Sequence, residues 1–447
     1  MKIKILVPLT AIALLALLTT SMHLAAQGPA GPSHYRVIDL GTLGGTQSSG
    51  NAINNLGWAT GFSDQAGNSV QLATVWIYGL QLPLGTLGGP SSDVAWPVKN
   101  NFGLISGISE NGVHDPLNET FSCPVFGFSS GNSCVAFAWQ FGTMTQLPGL
   151  GGNNSVGGGD NDLGQIVGWA ENSFHDPTCA PPGPAGTQVL QFEAVVWQQV
   201  KGKWTVRQLP PFGSDPDGAA VAVNNLGQVV GISGQCDEAI GAYSAIHAVL
   251  WQDGKPIDLG NLGGHGWNTP DAINNRGAIV GFMNQPGDVV DGSLNFQPTT
   301  FLWTKEGGLQ NLGTLPGDAI SEATDINDED QIVGTSFEAG FANPLAFIYQ
   351  NGAMTPLNAL IGSASANWDV SSTGGINDRG EIAAQANPVS NGVVNFSVAH
   401  AVLLVPASPN DPLAYGETHK FSLPPGTQRE QGTRVNMGRF LLPMKPQ

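Results

Sequence analysis

The sequence has few charged residues, and few of these are basic. Charged side chains make up 11% of its 447 residues, with 16 Lys and Arg against 34 Asp and Glu, a formal net charge of −18. Nucleic-acid binding depends on clustered Lys and Arg that neutralise phosphates, so this balance argues against DNA and RNA as partners. Anionic membrane surfaces are disfavoured for the same reason.

The chain also lacks the short motifs that mark common active sites. No segment has the context of a nucleophile elbow, and no H-E-x-x-H, Walker or dinucleotide-binding pattern occurs. These patterns position nucleophiles, metals and phosphates, so we expect no cofactor and no resident metal. Paired carboxylates for glycoside hydrolysis remain open, because distant segments can supply the two partners.

Only one long apolar run is present, and it lies at the N-terminus. Lys2 and Lys4 precede an apolar stretch at residues 5–20, and small residues lead up to Ala26. This order is typical of a secretory signal peptide. The run is short for a bilayer core of about 30 Å, so we expect cleavage after Ala26 and no membrane span afterwards. Residues 1–26 hold two Lys and no acidic residue, so cleavage changes the net charge to −20.

Glycine, by contrast, is abundant, and much of it belongs to a repeat. The chain has 61 glycines, roughly twice the usual share of about 7%. An Asn-Asn-x-Gly turn or a close variant recurs seven times, with spacings of 46, 61, 63, 50, 53 and 50 residues. The first residues of these turns are Asn54, Asn100, Asn161, Asn224, Asn274, Asn327 and Asn377.

Each unit contains four segments that predict short strands. The first ends at the turn asparagine, and the second is a run such as Gln165–Gly168 (QIVG). The third carries an aromatic residue near its end in six units, for example Trp251, and the fourth leads into a glycine-rich loop such as Asp39–Gly45 (DLGTLGG). Four strands per unit and a period of about 50 residues favour a propeller over a solenoid. We therefore predict an all-β, seven-bladed β-propeller of four-stranded blades.

The N-terminal strand is predicted to close the ring. No fourth strand follows His400–Leu404 in the seventh unit, whereas an unassigned strand, Tyr35–Leu40, precedes the first unit. Pairing the two removes exposed sheet edges. The expected organisation is a signal peptide at 1–26, a short linker at 27–34, the propeller at 35–404 and an irregular or disordered, proline-rich tail at 405–447.

The repeated phrases resemble those of the HAF-repeat family of extracellular proteins. The phrases are DLGTLGG, AINNLG or AINNRG, GQIVG or GQVVG, and HAVLW at His247–Trp251, and the resemblance covers roughly residues 35–404. The literal His-Ala-Phe triplet is absent, and the matching positions include His-Ala-Val at His247 and at His400. The resemblance implies secretion, to the extracellular space or the periplasm, and a repeat fold. It implies no activity.

The four cysteines are predicted to form two disulfides. Units two and three carry insertions between their second and third strands that hold Cys123, Cys134 and Cys179, and Cys236 lies in the same loop of unit four. Export favours disulfides over free thiols, and no C-x-x-C pair indicates a zinc or redox site. Position favours Cys123–Cys134 within one insertion and Cys179–Cys236 between adjacent blades, although four cysteines allow three pairings.

A duplicated phrase is the most suggestive polar feature. ENGVHDP at residues 110–116 and ENSFHDP at residues 171–177 occupy equivalent places on neighbouring units. Two imidazoles and two carboxylates on one rim are suited to a divalent metal or sugar hydroxyls. The alternative is that each His-Asp-Pro forms a turn in which Asp accepts backbone N–H groups. The candidate ligands are His114, Asp115, His175 and Asp176.

Tryptophans outside the third strands are the better candidates for an aromatic surface that stacks on sugars, whereas third-strand tryptophans are expected to pack between strands. The candidates are Trp96, Trp169, Trp267 and Trp368.

Together these features favour a secreted, monomeric binding or scaffolding module for an extracellular glycan or protein, more than an enzyme. A polysaccharide hydrolase or lyase with its site on the loop-rich face and a structural cell-surface protein are the alternatives, since propellers host many activities.

Overall fold

The computed structural model describes residues 34–119, 123–179, 188–236, 245–290, 293–294, 296–362 and 365–407. The predicted signal peptide, nearly all of the linker, and the tail beyond residue 407 lie outside these ranges. Within them, no helix has the length and apolarity needed to cross a bilayer.

The chain is all-β and forms seven antiparallel sheets of four main strands each, as the sequence predicts. An N-terminal strand, β1 (Tyr35–Gly41), precedes the first blade. Blade 1 consists of β2 (Gly44–Ile53), β3 (Ala59–Gln65), β4 (Gln71–Ile77) and β5 (Leu80–Pro83). Blade 2 consists of β6 (Ser92–Asp93), β7 (Leu104–His114), β8 (Asn132–Gln140) and β9 (Thr143–Gln146). Blade 3 consists of β10 (Gly151–Asp160), β11 (Gln165–His175), β12 (Leu190–Val200) and β13 (Lys203–Gln208).

The remaining blades follow the same order from the innermost to the outermost strand. Blade 4 consists of β14 (Asp217–Val223), β15 (Val229–Gly234), β16 (Ala245–Gln252) and β17 (Lys255–Asp258). Blade 5 consists of β18 (Thr269–Ile273), β19 (Ile279–Met283), β22 (Thr299–Thr304) and β23 (Gly308–Gly313), with a side hairpin of β20 (Val289–Val290) and β21 (Ser293–Leu294). Blade 6 consists of β24 (Ile320–Ile326), β25 (Ile332–Glu338), β26 (Ala342–Gln350) and β27 (Ala353–Pro356).

Blade 7 is completed by the N-terminal strand, which confirms the predicted closure. Its strands are β28 (Trp368–Ile376), β29 (Ile382–Ser390), with the short β30 (Val393–Val394) at its side, and β31 (His400–Pro406). β1 pairs antiparallel with β31, from Tyr35 opposite Pro406 to Asp39 opposite Val402. Tyr35 is 1% exposed, so the closing strand is anchored in the core of the last blade.

The glycine of the QIVG-type runs is required by close backbone packing. A Cβ atom at Gly168 would lie 2.0 Å from the carbonyl oxygen of Val156 on the neighbouring strand. The register between these strands also shifts next to this contact, between Gly157 and Asp160. Any side chain at position 168 would push the two innermost strands of blade 3 apart.

Two faces of the propeller follow from the antiparallel strand order. The hairpin turns between the first and second strands and between the third and fourth strands lie on one face, here called the turn face. The insertions between the second and third strands and the loops between blades lie on the opposite face, here called the loop face. The glycine-rich LGTLGG-type loops and the cysteine-bearing insertions therefore share the loop face.

The turn asparagines form a closed hydrogen-bonded ring on the turn face. The side-chain amide of each donates to the backbone carbonyl of the equivalent asparagine on the next blade, and Asn377 of blade 7 donates to Asn54 of blade 1. All seven N···O distances lie between 2.7 and 3.1 Å. The side-chain oxygen of each accepts the N–H groups two and four residues later, as at Leu56 and Trp58 in blade 1. One side chain thus shapes the turn and joins two blades.

A second ring lies beside the first and uses the next residue of each turn. The backbone N–H of this residue donates to the side-chain oxygen of its counterpart on the following blade, over 2.7 to 2.9 Å in all seven steps. The seventh step runs from Asp378 back to Asn55. The position requires an acceptor oxygen, and every unit has Asn or Asp there: Asn55, Asn101, Asp162, Asn225, Asn275, Asp328 and Asp378.

Candidate functional site

Both disulfides favoured by the sequence are present on the loop face. Cys123 of the blade 2 insertion is bonded to Cys134 near the start of β8, and Cys179 to Cys236 between blades 3 and 4. The second bridge closes a separation of 57 residues, so it ties the blade 3 insertion to its neighbour. Stable disulfides are typical of compartments outside the reducing cytoplasm.

The duplicated phrase places its aspartates in turns rather than on an open rim. The carboxylate of Asp115 is buried and accepts the N–H groups of Leu117 and Glu119 at 3.0 and 3.1 Å. Asp176 is also buried, and it accepts the N–H and the hydroxyl of Thr178, both at 2.7 Å. These are the contacts that the turn interpretation of His-Asp-Pro expects.

The two histidines of the phrase, His114 and His175, are exposed. Among the described residues, a single cluster of three metal-ligating side chains occurs, Asp176 with Cys179 and Cys236, and it includes neither histidine. Both of its sulfur atoms belong to a disulfide, so they offer no thiolate to a metal.

A pair of buried glutamates links the second copy of the phrase to the blade 2 insertion. Glu119 reaches from the blade 2 insertion to blade 3, where it accepts the N–H groups of Val189 and Leu190 at 2.9 and 3.0 Å. Glu171 accepts the N–H group of Asn154 at 2.8 Å. The side-chain amide of Asn154 lies within 3.1 to 3.3 Å of oxygens of both glutamates. The pair therefore holds the insertion of one blade against the next.

Burial raises the pKa of both carboxyl groups, and a neighbouring carboxylate raises each of them further. Burial is the larger cause at Glu171 and the charge of Glu119 the second, and together they raise the pKa of Glu171 to about 8. The pKa of Glu119 is raised by burial and, to a lesser extent, by the charge of Asp115. At neutral pH the pair therefore holds a proton that two exposed glutamates would have lost.

Glu171→Gln is expected to flatten the pH dependence of stability. Because the folded pKa of Glu171 exceeds that of an unfolded glutamate, its contribution to the free energy of unfolding is complete below about pH 4.3 and is lost as the pH rises through about 8. The glutamine side chain still accepts from Asn154 and donates to Glu119, and it does not titrate in this pH range. Urea unfolding midpoints are measured at pH 5, 7 and 9. From pH 5 to pH 9 the midpoint should fall more in the wild type than in the variant. Equal slopes would contradict the raised pKa, and exposed Glu306→Gln serves as control.

An open cleft lies between blades 2 and 3 on the loop face. It has a volume of about 420 Å³ and is here called the blade 2–3 cleft. Its polar lining includes His114 and Asn111 from the end of β7, Gln146 from β9, and Asn153 from β10. Apolar lining comes from Val113, Pro116, Val135 and Leu147.

Among the residues that the structure describes, the lining of the blade 2–3 cleft carries no Lys, Arg, Asp or Glu. His114 and Gln146 are exposed, and Asn111 and Asn153 are half-buried, so amide and imidazole groups face the open space. Such groups offer donors and acceptors side by side. The cleft is therefore suited to a neutral ligand that has many hydroxyl or amide groups.

The central channel is too narrow for such a ligand at its turn-face mouth. The space there is about 50 Å³, little more than the roughly 30 Å³ that one water occupies in the liquid. The ammonium of Lys99 crosses it, pairs with the buried carboxylate of Asp325 and donates to the carbonyl of Ile376 at 2.7 Å. This lysine joins blades 2, 6 and 7.

The prediction of a sugar-stacking tryptophan surface is wrong for three of its four members. Trp96, Trp169 and Trp267 are each 1% exposed, because they sit in a large apolar cluster contributed by several blades. The rings of Trp96 and Trp169 meet edge to face with centroids 5.1 Å apart. Trp368 is half-buried, and its ring lies 5.6 Å from that of His400.

One G-x-S-x-G pattern does occur in the chain, at Gly127–Gly131 (GFSSG). It follows a short 3₁₀ helix, Pro124–Phe126, and precedes strand β8. A nucleophile elbow instead joins a strand to a helix. The segment is a loop of the blade 2 insertion, and the Ser130 hydroxyl anchors it to the carboxylate of Glu110.

Comparisons with known proteins show similarity of fold at low sequence identity. No protein-family model and no curated protein matches the chain. It is similar to the β-propeller domain of the Trilobed protease from Pyrococcus furiosus, with a TM-score of 0.42 and 9% identity over 87% of this chain and 100% of that one. Dipeptidyl peptidase 4 from Porphyromonas gingivalis has a TM-score of 0.36 and 10% identity over 74% of this chain and 49% of that one. An oligogalacturonate lyase in complex with manganese has a TM-score of 0.36 and 10% identity over 76% of this chain and 83% of that one. Likenesses this distant carry no conclusion about a site.

Proposed function

We propose that the protein is a secreted binding module that holds a neutral glycan in the blade 2–3 cleft. The observation that carries the proposal is the lining of the cleft, whose described residues combine amide and imidazole groups with apolar side chains and include no Lys, Arg, Asp or Glu. Sugars present both hydroxyl groups and apolar ring faces, so they match such a mixture. The two disulfides and the N-terminal signal-like segment support export.

The net charge of the protein supports a neutral rather than an acidic glycan. The whole chain carries −18, and a polyanion would have to approach this charge without a basic cluster to receive it. The resemblance to the HAF-repeat family, which implies an extracellular location, is in keeping with a glycan of a cell surface or matrix. The alternative ligand for the same cleft is a protein that presents amide groups.

A hydrolase or lyase role is supported less well, because the best carboxylate pair does not reach the cleft. Glycoside hydrolysis requires two carboxyl groups on either side of the scissile bond. Glu119 and Glu171 are 5% and 0% exposed, and neither lines the cleft, whereas Asn154, which contacts both, does. Their contacts hold the insertion of blade 2 rather than a ligand.

A glycan array with the purified mature chain tests the proposal. We expect neutral oligosaccharides to be retained, with acidic ones weaker or absent, and no release of reducing ends from the bound polysaccharide. Retention of acidic glycans alone, or of none, would contradict the proposal. Release of reducing ends would favour the hydrolase, and binding only to copies of the same chain would favour a structural surface protein.

A further inference from the structure

Exposed apolar side chains gather on the turn face, away from the blade 2–3 cleft. Among the described residues, fourteen large apolar side chains are exposed, and half of them project from turns of blades 1 to 4. Tyr78 and Phe141 are the most exposed, at 81% and 78%. We call this set the apolar crescent: Leu56, Tyr78, Phe102, Phe141, Leu163, Val200 and Leu226.

The fold does not require apolar residues at these positions. The third residue of each asparagine turn donates its backbone N–H to the turn asparagine, whatever its side chain. Blades 1 to 4 have apolar residues there, whereas blades 5 to 7 have charged ones, Arg276, Glu329 and Arg379. Equivalent turns therefore tolerate charge, and the crescent needs another cause.

Backbone strain at the two aromatics points in the same direction. Tyr78 and Phe141 open the turns between third and fourth strands with φ of 49° and 48°. Blades 4 and 6 place Asp253 and Asn351 at the same position, both at 53°, as this left-handed region favours. A bulky residue there is disfavoured, because its Cβ atom crowds the following carbonyl oxygen. The exposed rings regain little of this cost by burial within the described residues.

Aromatic side chains of blades 1 and 2 lie on either side of the blade 2 turn. A Cβ atom built on Gly103 would lie 3.2 Å from the Phe141 ring and 3.7 Å from the Trp58 ring, so both side chains lie beside this turn. The Tyr78 hydroxyl donates to the carbonyl of Leu56 at 3.2 Å. The crescent therefore brings apolar and aromatic side chains of two adjacent blades close together.

We propose that the chain's own C-terminal segment, residues 438–445, covers the apolar crescent. The described chain leaves the propeller on this same face, because β31 runs toward the blade 7 turn, where Pro406 would lie 3.6 Å from a Cβ atom built on Gly380. Blade 7 adjoins blade 1 through the asparagine ring. The 30 residues from 408 to 437 can span roughly 100 Å when extended, several times the distance of about 10 Å between two packed sheets.

Charge and apolarity both favour this occupant. Residues 35–404 contain 9 Lys and Arg against 31 Asp and Glu, a net charge of −22. The segment 438–445 (GRFLLPMK) combines four large apolar side chains with Arg439 and Lys445 and has no acidic residue. A second copy of the propeller would instead add another net charge of −22, so the two copies would repel each other. The basic, apolar segment therefore complements the turn face better than another copy does.

Photocross-linking of the mature full chain tests the proposal. A photoreactive benzoylphenylalanine in place of Phe141 is expected to form an intramolecular cross-link to a peptide within residues 429–447. The same probe in place of Phe174, which is 66% exposed on the loop face, is the matched control and should not reach this peptide. Cross-links to residues 35–404 of another copy, or equal labelling from both positions, would overturn the proposal.

Truncation after residue 432 provides a second, independent measurement. Amide hydrogen exchange at residues 101–103 and 141–142 is expected to rise several-fold in the truncated chain, while exchange in blade 5 stays unchanged. Arg439→Glu with Lys445→Glu should lower the cross-link yield from position 141 without altering the fold. Unchanged exchange on truncation would overturn the proposal, even where the variants fold normally.

Discussion

Asn224→Ala is expected to lower the free energy of unfolding by roughly 3 kcal/mol, because it breaks the asparagine ring in a buried place. The Asn224 amide donates to the carbonyl of Asn274 on the next blade at 2.9 Å, and its oxygen accepts the N–H groups of Leu226 and Gln228, both at 3.0 Å. Asn224 is 3% exposed. Each buried group that loses its partner costs about 1–3 kcal/mol, and alanine removes several partners at once.

Urea unfolding followed by tryptophan fluorescence measures this effect. Lys255→Ala is the control, since Lys255 lies exposed on the outer strand of the same blade and should change stability by no more than about 0.5 kcal/mol. A cost for Asn224→Ala that is no larger than that of the control would mean that the ring does not join the blades.

Deletion of residues 35–40 is expected to have the largest effect on stability. It removes the ladder between β1 and β31 and the fully buried side chain of Tyr35, and it leaves β31 as an open edge. Burial of one large side chain contributes about 1.5–3 kcal/mol, and several ladder hydrogen bonds contribute about 1 kcal/mol each. We expect a total loss of at least roughly 5 kcal/mol, which for a domain of this size corresponds to a fall in Tm of about 6 °C or more.

Scanning calorimetry of the mature chain measures this loss. A chain that begins at residue 34 is the matched control, because it retains the whole of β1, and its Tm should stay near that of the mature chain. If both truncated chains melted at the same temperature, the N-terminal strand would not hold the ring closed.

The fold could be predicted from the sequence because each blade repeats the same turn and strand residues. The turn asparagine and the glycine of the QIVG-type run are required by the geometry within each blade, so Asn54 and Gly168 mark their elements in the sequence. The unassigned strand at Tyr35 could be placed because only the seventh blade lacked a fourth strand in a closed ring. The disulfide pairing followed from which insertions share a face.

The site was harder to predict because its contacts cross between blades. Glu119 lies near Glu171 only because of the path of the blade 2 insertion, where Gln188 donates to both carboxylates. Trp96 and Trp169 look irregular in the sequence, yet they are buried against each other between neighbouring blades. One signal was readable in advance: every unit has Asn or Asp after its turn asparagine, from Asn55 to Asp378, which fits the second ring.

The most direct test of the proposed function is a calorimetric titration of the mature chain with a neutral oligosaccharide retained on the array. The wild type is compared with His114→Ala combined with Gln146→Ala, which changes two exposed groups of the blade 2–3 cleft. His175→Ala, at the equivalent place on blade 3, is the control. We expect the control to bind like the wild type and the cleft variant to bind at least about tenfold more weakly, a loss of about 1.4 kcal/mol. Equal affinity of all three proteins would contradict a ligand site in the cleft.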